Sequence, residues 1–127
     1  MASEEIHTSA ARIWLDDEGI LNVVSIGVES TEESGREFFA AKRALLGDQR
    51  AALLLDARRW PGGSPASWVQ LTQQLETISF AAAVVASPVS TERMGAFPDV
   101  FAGLLIPFRV FDEVEPAREF LRRNIAS

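Results

Sequence analysis

The side chains best placed to do chemistry follow two apolar runs. Asp56, Arg58 and Trp60 come directly after Ala51–Leu55, and Ser64 and Ser67 stand just past a Pro-Gly-Gly loop in AALLLDARRWPGGSPASW. A carboxylate at a strand end can hold the Arg58 or Arg59 guanidinium or orient a ligand; equally, it can accept backbone N–H groups in its own loop. Ser64 and Ser67 would sit at a helix start, where a phosphate is electrostatically favoured. The plainer reading makes Ser64 an N-cap, worth about 1 kcal/mol. Ser87, Ser90 and Arg93 follow the second apolar run. With Arg58 they would form a small anion site beside helix N-termini, or simply a Ser-Pro turn, a cap and a solvated arginine. Met94, Phe97 and Phe101, with Trp60 and Phe108, would line an apolar pocket or a partner surface, or pack as ordinary core. Trp60 fits core least well, because it precedes Pro-Gly-Gly in a loop, and it is expected to be exposed.

Other chemistries lack their residues. There is no cysteine and a single histidine, His7. Disulfides, thiolate catalysis and His/Cys zinc sites are therefore excluded, and a Ser-His-Asp triad would need His7 folded back onto the sheet. Asp16-Asp17 and Glu32-Glu33 fall in a turn and at a helix start, where they serve solubility and capping. No Walker or dinucleotide-binding glycine pattern is present. No catalytic residue, metal or cofactor is expected, and the chain is not expected to be an enzyme.

The elements that position these residues follow from periodicity and turn chemistry. Residues 1–10 read as a flexible tail, and 11–127 as a single domain. Arg12–Leu15 and Ile20–Ile26, separated by Asp17-Glu18-Gly19, form a hairpin. Ser30 with Glu33 has capping-box spacing and opens a helix carrying Phe38, Ala41 and Leu45 on one face. Gly47 stops that helix, and Gly35 inside it permits close packing at a cost of about 1 kcal/mol relative to Ala. Ala51–Leu55 is apolar without alternation, as in a strand covered on both faces. Trp68, Leu71, Leu75 and Ile78 form a buried helical stripe after Pro65. Phe80–Ala86 is the next strand. A helix from Ser90 to about Leu104 follows, kinked or divided at Pro98, then strand Phe108–Phe111 and a last helix capped by Asp112. The fold class is thus α/β: a five-stranded mixed sheet, an antiparallel hairpin followed by parallel strands, with four helices. Ligand sites on such sheets lie beyond the carboxyl ends of the strands.

The chain has 127 residues and a net charge of −6. It lacks the basic stripe of a nucleic-acid binder, the basic and apolar regions of a signal peptide, and an apolar run approaching the ~20 residues of a membrane span. The expected location is cytoplasmic. One of the hairpin strands is expected at a sheet edge, where pairing with a second copy would give a homodimer.

The segments ARIWLDDEGILNVVS, LLLDARRW and AAAVVASPVS resemble the STAS/SpoIIAA-like superfamily of anti-sigma-factor antagonists. More narrowly they are similar to bacterial STAS-like, CRAL-TRIO-related proteins of unassigned role. The resemblance spans about residues 11–125 and implies a SpoIIAA-like fold. Phosphoswitch members carry an Asp-Ser-Ser-Gly-type motif where this chain has Gly62-Gly63-Ser64-Pro65-Ala66-Ser67. The acidic residue and the following glycine are missing, so kinase-controlled switching is not implied. The function expected is a non-enzymatic regulatory or protein-interaction domain working through Arg58–Ser67 and the neighbouring 90–104 helix. The alternative is a carrier or sensor of a small apolar or lipid-like ligand under a mobile 90–105 helix.

Overall fold

In the computed structural model the described residues are 3–63, 65–94 and 104–126, with positions 65–69, 72 and 94 described by their backbone alone. The strands are β1 (Ile6–His7), β2 (Ala11–Leu15), β3 (Ile20–Ser25), β4 (Ala51–Asp56), β5 (Ser79–Val85) and β6 (Phe108–Phe111). The helices are α1 (Glu32–Leu46), α2 (Pro65–Ile78), α3 (Pro88–Met94) and α4 (Val114–Ala126). All the strands join one sheet in the order β1-β2-β3-β4-β5-β6. β1–β3 pair antiparallel, and β3–β6 pair parallel.

Among the described residues the antiparallel start, the parallel continuation and four helices agree with the sequence reading, but the sheet has six strands rather than five. The extra strand lies in the segment read as a tail: Ile6 pairs with Ile13 and His7 with Arg12. A two-residue strand is too short for alternation to register. Because β1 pairs with β2, the sheet edges among the described residues are β1 and β6, and the expected edge position of the Arg12–Leu15 or Ile20–Ile26 strand does not hold.

Successive strand residues feed two cores. Ile13, Leu21, Leu53, Ala82 and Val84 pack with Phe38 and Ala41 of α1 and with Leu75 and Ile78 of α2. Ile20, Ala52, Leu54, Ala81, Ala83 and Val85 pack with Ala117 and Leu121 of α4. Parallel strands added in one direction through right-handed crossovers place α1 and α2 on the same face. This double coverage is why Ala51–Leu55 shows no polar alternation.

The cap of α1 lies one residue beyond the expected Ser30–Glu33 box. Thr31 is the N-cap: its side chain accepts the Ser34 N–H at 3.1 Å, and Ser34 Oγ accepts the Thr31 N–H at 2.8 Å. Gly47 ends α1 at φ +59, with its N–H on Arg43 O at 2.8 Å. The predicted Ser90–Leu104 helix is described only as α3, since residues 95–103 lie outside the described residues. The last helix begins at Val114, so Glu113 rather than Asp112 precedes its first residue. Among the described residues, no helix is long and apolar enough to cross a membrane.

Candidate functional site

The carboxyl ends of β3, β4 and β5 meet the first turns of α1 around a cavity of about 150 Å³. Val23, Leu55 and Val84 form its floor, Phe38 and Phe39 of α1 and Leu71 of α2 its walls, and Ala10, Ala11, Ala57 and Trp60 close it from the hairpin and the loop after β4. The position obeys the rule that sites on open α/β sheets lie beyond the carboxyl ends of the strands. It follows locally from the sequence, because each of these strands ends in a loop that must clear the sheet before its crossover helix starts.

The lining is mostly apolar, and the polar groups on it are largely committed to one another. Thr8 Oγ1 accepts the Ala11 N–H at 3.0 Å. Ser30 Oγ accepts Trp60 Nε1–H at 3.0 Å. Thr31 and Ser34 are the capping pair of α1. Asp56 receives Arg58 in a fork, with Nε on Oδ1 at 3.0 Å and Nη2 on Oδ2 at 2.7 Å, and it also accepts the Arg58 N–H at 3.2 Å. That hydrogen-bonded, charged partner raises the Arg58 pKa above its ordinary value. Gln70 is the exception. Its Oε1 is the buried side-chain oxygen without a hydrogen-bond partner among the described residues. It lies over Gly35, where a Cβ would come within 2.0 Å of it.

Several of the residues singled out from sequence come together here. Asp56 does both things weighed for it, holding Arg58 and accepting a loop N–H. Ser87 Oγ donates to Arg58 O at 3.2 Å, and Ser90 Oγ accepts the Ser87 N–H at 2.8 Å. Ser87 and Ser90 thus act as turn and helix-start groups, with Ser90 buried. Arg93 is exposed on α3. Trp60 corrects the sequence reading: it is only 6% exposed and belongs to the α1/α2 core, so it is not a surface residue. Its indole N–H finds Ser30 only after the chain passes through α1, a contact that no local pattern announces. Ser64, Phe97 and Phe101, and the side chains of Ser67 and Met94, lie outside the described residues. Among the described residues the cavity is lined from α1, α2 and the strand ends, and sequence reasoning missed Gln70, Val23 and Phe39 as lining. The available signal was Gly35, a glycine inside a helix.

The opposite end of β3 carries the densest charge. Asp16 Oδ2 accepts Asn22 Nδ2–H at 2.9 Å and Arg118 Nη2–H at 2.8 Å. Its Oδ1 accepts the N–H groups of Glu18 and Ile20 at 2.9 and 3.1 Å. Glu18 is gripped by Arg122 and Arg118, which hold its carboxyl down to about 2. Asp16, read from sequence as a turn and solubility residue, therefore locks the β2–β3 turn to α4.

These features define the class of protein as an α/β domain of SpoIIAA-like fold. The chain is similar in structure to an uncharacterized protein of the DUF3478 family with a SpoIIAA-like fold from Shewanella loihica PV-4. The likeness covers 94% of this chain and 93% of that one, with a TM-score of 0.59 and 16% sequence identity. At that identity it establishes the shared fold. No protein-family model and no curated protein matches the sequence.

Proposed function

We propose that this chain is a non-enzymatic regulatory module whose input is a small, mostly apolar molecule held at the carboxyl ends of β3, β4 and β5. The observation that carries this reading is the lining of the cavity: apolar floor and walls, with rim hydroxyls and Asp56 already hydrogen-bonded within the protein. Such walls favour transfer of an apolar body from water. They offer little to a phosphate, because the Arg58 guanidinium is neutralised by Asp56.

Native mass spectrometry of gently purified full chain, followed by toluene titration with a thermal-shift readout, tests the reading. A bound small-molecule mass, or a rise in melting temperature with toluene, is expected. Saturation at 100 times Kd stabilises by about 2.7 kcal/mol. A clean apo mass together with no toluene effect would overturn the reading. A protein-binding surface is the second reading, favoured by Leu105, which is 92% exposed just before β6. A Leu105→Ser variant that keeps every captured partner would count against it.

A further inference from the structure

We infer that the occupant of this cleft bears a hydrogen-bond donor, and that the site takes a neutral, phenol-sized molecule whose O–H pairs with Gln70 Oε1. The inference rests on the reading of the cleft as a ligand site and adds the chemical class of the ligand.

Three observations converge on it. The first is the unpartnered Gln70 Oε1. Buried polar side-chain atoms nearly always have a partner, and one that lacks it calls for an explanation. A carboxamide oxygen can only accept, so the missing partner is a donor. The second is Gly35. A Cβ there would lie 2.0 Å from Oε1 and 2.8 Å from Cδ of Gln70. A side chain at position 35 would therefore displace the amide, whereas glycine lets it pack against α1 beside the cavity that Gln70 lines, so that a ligand meets the oxygen by a turn of this flexible side chain. The third is size: the cavity is about 150 Å³, and apolar cavities of about 150 Å³ hold a single benzene-sized molecule.

The other polar lining narrows the class further. Asp56 contributes negative charge that Arg58 balances, and Ser30, Thr31 and Ser34 are occupied by Trp60 and the α1 cap. Among the described residues no spare cation on this lining would receive a carboxylate. An uncharged ring or short branched chain with one hydroxyl matches both the walls and the unpartnered Gln70 Oε1 among the described residues.

The test is a titration of the full chain at neutral pH with phenol and with toluene, which differ by a hydroxyl in place of a methyl group. Their affinity ratio is then compared between the unaltered protein and Gln70→Leu. Because toluene is the more hydrophobic probe, the ratio and not the raw affinity isolates the hydrogen bond. The phenol-to-toluene ratio is expected to fall about tenfold in Gln70→Leu, the loss from leaving a buried donor unpaired. Gly35→Ala, which displaces the amide without removing it, is the second variant and should move the ratio the same way. A ratio unchanged in the folded variants would overturn the assignment to Gln70 while leaving the apolar site standing. Failure of the unaltered chain to bind either probe would overturn the ligand-site reading as well.

Discussion

Trp60 Nε1 donates to Ser30 Oγ at 3.0 Å, pinning the loop after β4 to the loop before α1. The same two loops are joined by the Ser30 N–H on Gly62 O at 3.0 Å and by a parallel bridge between Ser30 and Gly63. The connection that leaves β4 and the one that leaves β3 are thereby fixed relative to each other at one end of the cavity. Trp60→Phe keeps most of the apolar bulk and loses the N–H, so it should cost about 1 kcal/mol. Trp60→Ala also empties a core position and should cost about 3–5 kcal/mol. Urea denaturation of both variants checks the pair. Equal, small losses would mean that the indole does not tie the loops together.

Gly35→Ala sets opposing effects against each other. Alanine in a helix interior is favoured over glycine by about 1 kcal/mol. The new methyl must push the end of the Gln70 side chain, the nearest atoms to it, and that side chain is long and free to rotate. Stability is therefore expected to stay within about 1 kcal/mol of the parent. A loss well beyond that in thermal or urea unfolding would show that the Gln70 amide is held rigidly against α1.

The elements carried by long patterns were legible in the sequence, and the site was legible in part. The run Ala51–Leu55 announces a strand buried on both faces, and the stripe Leu71, Leu75, Ile78 announces the inner face of α2, because burial imposes those periods directly. Asp56 and Arg58 are neighbours whose chemistry closes locally, so their pairing could be anticipated. Contacts that require the fold could not. Gln70 meets Gly35 only because α1 and α2 lie on the same face of the sheet, and Trp60 reaches Ser30 only after a complete crossover. The Thr31–Ser34 cap was missed because Ser30 with Glu33 matches the commoner box, one residue earlier, and the fold gives Ser30 to Trp60 instead. At Asp16, composition suggested a solvated turn, whereas the fold brings Arg118 to it from about a hundred residues away.

On the other face, small side chains set how closely α4 approaches. Ala52, Ala81, Ala83 and Ala117 are each 0% exposed and form one cluster with Ile20, Leu54, Val85 and Leu121. Ala117→Leu adds bulk to a packed layer whose strand side offers methyl groups with little freedom to repack. Overpacking of this kind typically costs about 1–3 kcal/mol. The expected result is a lower urea midpoint with an unchanged slope. A variant as stable as the parent would reveal unfilled space between α4 and the sheet.

Acid should loosen α4 from the β2–β3 turn. Both carboxyls at that junction are held below their ordinary values. For Glu18 the causes are hydrogen bonds from Arg122 and then Arg118, which bring it from 4.5 to about 2. For Asp16, burial pushes the pKa upward, but hydrogen bonds from Asn22, Arg118 and the backbone outweigh it and leave a net lowering from 3.8. A carboxylate whose pKa is lower in the folded state binds protons less readily there than in the unfolded chain. Its stabilising contribution is therefore complete above the ordinary carboxyl range, and it drains away as pH falls from about 4.5 toward the folded value near 2. Melting temperature should hold between pH 7 and about 5, then drop through that window. Glu18→Gln should be less stable than the parent at pH 7 and show a shallower acid decline. Because Glu18 is 38% exposed, added salt should also shrink the difference between parent and variant. Parallel melting curves for the two proteins from pH 7 to pH 2.5 would show that acid sensitivity arises at other carboxylates, and that the arginines of α4 do not stabilise the turn through Glu18.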